Sequence, residues 1–184
     1  MGKILVFAAL ESEFFSPKSL YHPIIYTGVG KINAAISVTK SILEFSPDLV
    51  VNVGTAGSLK KDLVGIHFVS EVIEHDMNAE PLAERGQTPF DKIDPCLKSD
   101  IGNKKCATGD AFVTEKDPWL LGQGVDLVDM ELFAIAKVCE TFGVKWRSMK
   151  YVSDYVDENS AVNWSDSLKN ASIQINHYIE ELFK

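Results

Sequence analysis

Three acidic residues, Glu13, Glu131 and Asp154, each stand where a stretch that predicts a β-strand comes to its end. In open α/β sheets, ligands bind beyond the carboxyl ends of the strands, so we expect these three side chains to meet at one edge of the sheet. Carboxylates gathered in one place repel each other, and that repulsion can raise one pKa enough to make the group a proton donor. The trio therefore predicts acid–base chemistry at this edge.

Each acid also has a purely structural explanation. Glu13 and Glu131 are each placed where an acidic residue at a helix N-terminus would complement the helix dipole. Asp154 is placed where it would cap a turn. Position alone therefore favours the structural explanation for each acid taken singly.

The elements that must position these acids alternate in the manner of an α/β domain with a largely buried sheet. Apolar runs predict strands at residues 3–9, 23–26, 49–53, 65–73, 104–108, 125–130 and 146–153. Apolar residues at helical spacing predict helices at residues 32–45, 131–142 and 167–183. Residues 54–58 predict a glycine-rich turn, and residues 75–97 a long loop of the kind that often forms a lid or a subunit contact.

Composition restricts the class of protein. The chain has 184 residues, of which 46% are hydrophobic, and this length predicts a single domain over residues 1–184. The net charge of −8 argues against nucleic acid and anionic membranes as partners. The apolar N-terminus lacks a cleavage site, and no segment reaches the length of a membrane span, so we expect a cytoplasmic protein.

Several other chemistries find no support in the sequence. The four histidines lack metal-ligand spacing, and the three cysteines contain no C-x-x-C pair. The phosphate-loop pattern and the G-x-S-x-G nucleophile elbow are absent, and Gly28-Val29-Gly30 lacks the third glycine of a dinucleotide-binding loop. We therefore expect neither a metal nor a cofactor.

Six short blocks, taken together, are more specific than any single acid. They are residues 8–13 (Ala-Ala-Leu-Glu-Ser-Glu), 27–35 (Thr-Gly-Val-Gly-Lys-Ile-Asn-Ala-Ala), 52–59 (Asn-Val-Gly-Thr-Ala-Gly-Ser-Leu), 108–113 (Thr-Gly-Asp-Ala-Phe-Val), 128–136 (beginning Val-Asp-Met-Glu), and Ser153-Asp154 with Trp164. In type and order they resemble the purine nucleoside phosphorylase and nucleosidase superfamily, and within it the bacterial 5′-methylthioadenosine/S-adenosylhomocysteine nucleosidases. The resemblance implies a single-domain, three-layer α/β fold with a mixed central sheet flanked by helices.

The resemblance also assigns a role to each acid. Glu13 matches the residue that orients or deprotonates the attacking water. Asp154, with Ser153 beside it, matches the acid that protonates N7 of the adenine. Glu131 matches the residue that hydrogen-bonds the ribose hydroxyls, with Met130 packed beneath the sugar. The implied substrate is a small nucleoside with a 5′ substituent.

Further positions match the walls of such a site. Phe112 matches the residue that stacks on the base, and the Val113 backbone the group that reads the edge of the base. The positions that match the sugar and base site are Thr55 and Gly57, and those near the 5′ substituent are Leu10, Val29 and Trp164.

The chemistry is consistent with these roles. Breaking an N-glycosidic bond leaves an oxocarbenium-like sugar and an anionic purine. A proton on N7 makes the purine a neutral leaving group, so Asp154 must hold a proton at working pH. A nearby carboxylate favours the cationic sugar.

Whether the nucleophile is water or phosphate depends on where the positively charged side chains lie. A phosphorylase must hold a phosphate dianion, for which arginine is the usual residue. This chain has only Arg85 and Arg147, and its first strand end carries Glu11-Ser12-Glu13, which would repel phosphate. Asn52 stands near the place of another phosphate-binding arginine of related phosphorylases. The sequence thus favours water.

Three alternatives stay open at this point: a phosphorylase, a hydrolase of another 5′-modified nucleoside of the futalosine type, and a binding module that has lost turnover. The intact acidic trio argues against the last.

The sequence departs from the family in three respects. It is shorter between Gly57 and Thr108, where the family's helix before Ala107 is expected to be trimmed to residues 94–103. In the family this region helps to form a homodimer and closes the 5′ pocket, so the expected homodimer and the preferred 5′ group stay open. Thr55 replaces a serine, and Trp164 replaces a phenylalanine and should narrow the pocket.

Overall fold

The computed structural model describes residues 2–15, 24–157 and 160–184. Within these ranges eight strands form one mixed sheet: β1 Ile4–Ala8, β2 Ile24–Tyr26, β3 Leu49–Ser58, β4 Gly65–Glu74, β5 Cys96–Lys98, β6 Lys104–Thr108, β7 Leu127–Asp129 and β8 Lys145–Tyr155. The helices are α1 Lys31–Phe45, α2 Pro118–Gly122, α3 Leu132–Phe142 and α4 Ser160–Tyr178, with a 3₁₀ turn at Ile179–Phe183.

The strands follow the order β2-β1-β3-β7-β6-β4-β5, and β8 pairs with both β3 and β4. β3 runs parallel to β1 and β8 but antiparallel to β7. β4 runs parallel to β6 and antiparallel to β8. The pairings β3–β7–β6–β4–β8–β3 therefore return to their starting strand, and this part of the sheet closes into a ring.

The helices cover both faces of the sheet. Leu5 and Phe7 of β1 pack into a cluster with α1 and α3, whereas Ile4, Val6 and Ala8 pack into a second cluster with α4. Because successive side chains of a strand point to opposite faces, a strand covered on both sides is a continuous apolar run. The predicted α/β fold with helices on both faces of a mixed sheet is confirmed.

The turn predicted at residues 54–58 is wrong, because β3 continues through it to Ser58. β8 pairs with β3 along its whole length, with a register shift between Ala56 and Gly57. The glycines leave room beside the strand for acidic side chains. A Cβ on Gly54 would lie 3.5 Å from Glu13 Oε1, and one on Gly57 would lie 3.1 Å from Asp154 Oδ2.

The helix expected at residues 94–103 is also wrong. This segment holds β5 and a return to β6, in which the Ser99 N–H donates to the Ser70 carbonyl at 2.8 Å. Gly102 adopts a φ of 96° there, and a Cβ would lie 2.6 Å from the Phe68 carbonyl oxygen. Residues 96–98 pair with β4 as a strand, and the chain stays against β4 as it turns back to β6.

Two helices differ from the prediction, and the long loop agrees with it. The short helix α2 was not predicted; it begins after Asp117, whose carboxylate caps the Trp119 N–H at 2.8 Å. The last helix begins at residue 160 rather than 167 and tightens into a 3₁₀ turn at Ile179–Phe183. Residues 75–95 contain no helix or strand, in agreement with the predicted loop.

Among the described residues, no helix combines the length and the apolar character that crossing a membrane requires. The cytoplasmic location and the single-domain organisation stay predictions.

Candidate active site

A cavity of about 200 Å³ opens where several strands reach their carboxyl ends. Every candidate residue from the sequence lines it: Leu10, Glu13, Val29, Thr55, Gly57, Phe112, Val113, Met130, Glu131, Ser153, Asp154 and Trp164. Asp129, for which the sequence gave no role, lines it too. The fold thus brings residues from positions 10 to 164 around one space.

Glu13 lies in the turn after β1 and is only 6% exposed. Its Oε1 accepts hydrogen bonds from the Thr55 backbone N–H at 3.1 Å and from the Thr55 hydroxyl at 2.5 Å. Its Oε2 accepts one from the Leu10 N–H at 3.2 Å. Three donors from two chain segments therefore fix the orientation of this carboxylate.

Glu131 lies immediately before α3, and its Oε1 accepts the Gly30 N–H at 2.9 Å. Gly30 caps the N-terminus of α1 with a φ of 95°, a conformation that favours glycine. Burial, together with the negative charge of Asp129, raises the pKa of Glu131 to about 7. The positive charge of Lys150 and the Gly30 hydrogen bond oppose this shift.

Beneath Glu131 lies a buried ion pair between Lys150 of β8 and Asp129 of β7. Lys150 Nζ lies 2.7 Å from Asp129 Oδ2, and the two side chains are 2% and 1% exposed. Asp129 also accepts the Thr108 hydroxyl at 2.5 Å and the Leu132 N–H at 2.9 Å. Burial raises the pKa of Asp129, but the charge and hydrogen bond of Lys150 outweigh burial and hold that pKa below its usual value.

These contacts anchor the N-terminus of α3, which has no side-chain cap from its own N-cap residue. Asp129 takes the first helical N–H, from Leu132, and the Thr108 oxygen takes the next, from Phe133, at 2.9 Å. Satisfying these otherwise unpaired groups fixes where the helix starts. The anchor therefore determines where Glu131 points.

The sequence interpretation missed Lys150 and Thr108. The available signal was a lone lysine inside the apolar strand predicted at residues 146–153. A lysine in such a strand is almost never fully buried without a partner, so it predicts a buried acid nearby.

Asp154 lies near the end of β8 and is 7% exposed. The Ser153 hydroxyl lies 2.6 Å from Asp154 Oδ1. On the neighbouring strand, Gly57 pairs with Asp154 in register, and its missing side chain leaves room for the carboxyl group. A substitution at Gly57 would therefore displace this acid.

The remaining walls are largely apolar and reach solvent. Val29 and Phe112 are 42% and 45% exposed, and both face the cavity. Trp164 and Met130 are half-buried. The cavity thus combines a buried acidic floor with an open apolar rim.

Comparison with known proteins identifies the family. The model of the phosphorylase superfamily matches residues 23–184. The chain belongs to this superfamily. It is 34% identical to the 5′-methylthioadenosine/S-adenosylhomocysteine nucleosidase of an Exiguobacterium species over 173 residues, 82% of this chain and 74% of the relative. It is 32% identical to the enzyme of the same name from Staphylococcus haemolyticus, over 86% of this chain and 79% of the relative.

Two solved structures share the fold. A Helicobacter pylori nucleosidase of the same name, bound to butyl-thio-DADMe-Immucillin-A, aligns with a TM-score of 0.85 at 22% identity, covering 100% of this chain and 98% of the other. A futalosine hydrolase mutant from the same organism aligns with a TM-score of 0.84 at 22% identity, covering 96% of each chain. At this identity the likeness concerns the fold alone. The sequence relatives are nucleosidases, and this superfamily member is accordingly an N-glycosyl hydrolase.

Among the described residues, no three His, Cys, Asp or Glu side chains are grouped so that they could hold a metal ion. The absence of a cofactor stays a prediction.

The raised pKa of Glu131 predicts a pH-dependent stability cost. Folding raises this pKa from 4.5 to about 7, because the ionised form is disfavoured in the folded protein. The free energy of unfolding is therefore undiminished below about pH 4.5 and falls as the pH rises through 7. Glu131→Gln removes the ionisation. We expect the melting temperature of this variant to gain on that of the wild type as the pH is raised from about 5 to about 8.

Thermal unfolding of both proteins, without ligand, checks this. The exposed Glu115 provides a control, since Glu115→Gln should show no such trend. A constant difference between Glu131→Gln and wild type across the range contradicts the buried, protonatable state of Glu131.

Proposed function

We propose that the protein hydrolyses the N-glycosidic bond of a 5′-substituted adenine nucleoside, 5′-methylthioadenosine or S-adenosylhomocysteine, to adenine and the free thioribose sugar. The observation that carries this proposal is that Glu13, Glu131 and Asp154 are all buried around one cavity, each with different hydrogen-bond partners. The names of the sequence relatives support the choice of substrate.

In this mechanism Asp154 donates its proton to N7 of the adenine. The protonated purine leaves as a neutral base, and the C1′–N9 bond electrons move into the purine ring. The Ser153 hydroxyl, 2.6 Å from Asp154 Oδ1, helps to orient the acid. A positioned proton donor of this kind contributes about 10²–10⁴-fold to the rate.

Glu131 binds the ribose hydroxyls while the sugar becomes cationic. Its Oε1 is held by Gly30, and its anionic form accepts hydrogen bonds from the 2′- and 3′-hydroxyls. Met130 packs beneath the sugar ring. The negative charge stabilises the oxocarbenium-like transition state more than the neutral substrate, which is the condition for acceleration.

Glu13 orients the water and accepts its proton as the new C1′–O bond forms. Water rather than phosphate is supported by the distribution of positive charge. No Lys or Arg is among the described residues that line the cavity. Arg147 is paired with Asp100 at 2.8 Å, and Arg85 with Asp117 at 2.5 Å. A phosphate dianion in this cavity would meet Glu13, Glu131 and Asp154 but no positively charged side chain among the described lining residues.

The walls complete the substrate site. Phe112 stacks on the adenine and the Val113 backbone reads its edge, while Thr55 and Gly57 border the sugar and base. Leu10, Val29 and Trp164 form an apolar wall suited to an alkylthio group at the 5′ position. Since Val29 is exposed at the rim, the site has room for 5′ groups of different lengths.

Product analysis tests the proposal. We expect adenine release from 5′-methylthioadenosine or S-adenosylhomocysteine at the same rate with and without phosphate, measured by chromatography. Inosine and futalosine complete the substrate panel. Asp154→Asn should lower kcat by about 10²–10⁴-fold while substrate still binds. The exposed Asp62 gives a matched control, as Asp62→Asn should leave kcat unchanged.

Other results would redirect the assignment. An absolute requirement for phosphate, with sugar 1-phosphate as product, would make the protein a phosphorylase. Turnover of futalosine alone would change the substrate. Full activity of Asp154→Asn would exclude this residue as the acid.

We also propose that the protein is a homodimer. Helix α1 buries Ala34 and Val38 but exposes Ile32, Ile36 and Leu43, which are 72%, 50% and 67% exposed. Their spacing places them along one side of the helix. A contiguous apolar surface of this kind is typical of a subunit interface.

Sedimentation velocity tests the dimer. Wild type should sediment as a dimer, and Ile36→Lys should shift the population towards monomer because the charge would be buried in the interface. Ile173 of α4, 62% exposed and outside this surface, gives the control variant Ile173→Lys, which should stay dimeric. A monomeric wild type contradicts the proposal.

A further inference from the structure

We propose that Trp164 is a positioning residue for the nucleophile side of the reaction, acting through Thr55 on Glu13. This inference rests on the proposed role of Glu13 in activating water. The indole N–H of Trp164 holds the Thr55 hydroxyl in the one orientation that points its hydrogen at Glu13.

The observation is a continuous chain of hydrogen bonds from α4 to the turn after β1. Trp164 Nε1 lies 2.8 Å from Thr55 Oγ1, and Thr55 Oγ1 lies 2.5 Å from Glu13 Oε1. Thr55 is 7% exposed and Glu13 is 6% exposed, so solvent competes little for either group.

The direction of the chain follows from the chemistry of its members. An indole nitrogen donates a hydrogen bond and cannot accept one, whereas a hydroxyl has one hydrogen and can accept as well. Because Thr55 Oγ1 accepts from Trp164, its own hydrogen is free to donate to Glu13 Oε1. Removing the indole N–H would leave the hydroxyl free to rotate away.

The hydrogen bonds to Glu13 from the described residues leave one of its acceptor positions for a further donor. A carboxylate oxygen accepts about two hydrogen bonds. Oε1 takes both of its own from Thr55, through the backbone N–H and the hydroxyl, and Oε2 takes one from Leu10. Among the described residues no donor fills the second position of Oε2. The water that attacks the sugar is the natural occupant of that position.

Through Trp164, the orientation of Thr55 and Glu13 depends on how α4 packs against the sheet. Trp164 belongs to α4, which packs against β8 and β3, and its side chain also lines the cavity. A phenylalanine at position 164 could not make the hydrogen bond that joins Trp164 to Thr55.

Kinetics of four variants test the coupling. Trp164→Phe keeps an aromatic ring but removes the N–H together with the five-membered part of the indole, and Thr55→Val keeps the shape and removes the hydroxyl. We expect Trp164→Phe to lower kcat about 3- to 10-fold, as loss of one hydrogen bond does, and Thr55→Val to lower kcat at least as much. Thr55→Ser, which keeps the hydroxyl, should retain more of kcat than Thr55→Val.

The double variant decides whether Trp164 acts through Thr55. Trp164→Phe should have no further effect on kcat in the Thr55→Val background, because the acceptor that it orients is gone. Any effect of ring size on substrate binding would show in KM and persist in that background. Equal losses of kcat in both backgrounds would overturn the proposal.

Nuclear magnetic resonance gives a readout that needs no turnover. The chain has three tryptophans, so a ¹⁵N-labelled sample shows three indole signals, and Trp164→Phe assigns one of them. That signal should move upfield and exchange faster with solvent in Thr55→Val but not in Thr55→Ser. An unchanged signal in Thr55→Val would overturn the hydrogen-bond chain. Failure of the proposed function would appear separately, as absent nucleoside hydrolysis by wild type.

Discussion

The ion pair between Lys150 and Asp129 is the interaction on which the acidic site depends. Burying two charges costs several kcal/mol each unless geometry and further hydrogen bonds compensate. Here Thr108 and the N-terminus of α3 supply those hydrogen bonds, and Asp129 in turn fixes where the helix begins. Without the Lys150 charge, Glu131 would face an uncompensated neighbouring carboxylate.

The other two acids depend on glycine and on directed hydrogen-bond donors. Gly57 leaves the space that Asp154 occupies, and Thr55 and Leu10 supply the donors that orient Glu13. At Glu131, burial and the charge of Asp129 raise the pKa to about 7 against the opposing charge of Lys150. A site of this kind trades stability for reactivity, a common relation in enzymes.

Much of this arrangement could be predicted from the sequence, since strand ends in an α/β sheet converge and short motifs mark each end. The twelve candidate residues, most of them assigned through the resemblance of these motifs to a known family, all line the cavity. The error was local: the turn predicted at residues 54–58 is strand, because its pairing with β8 carries β3 on to Ser58. Lys150 and Thr108 were missed because their partner lies far along the chain, and no periodic pattern encodes a contact between distant segments. The hydrogen bond between Trp164 and Thr55 was not predicted for the same reason.

The most direct test of the separate roles of the three acids is a crystal structure with a cationic iminoribitol analogue of the substrate. The account predicts Asp154 within about 3.2 Å of the purine N7, Glu131 on the sugar hydroxyls, and a water between Glu13 and the anomeric position, opposite the base. A purine whose N7 faces solvent, or a Glu13 on the same side of the sugar as the base, would contradict it.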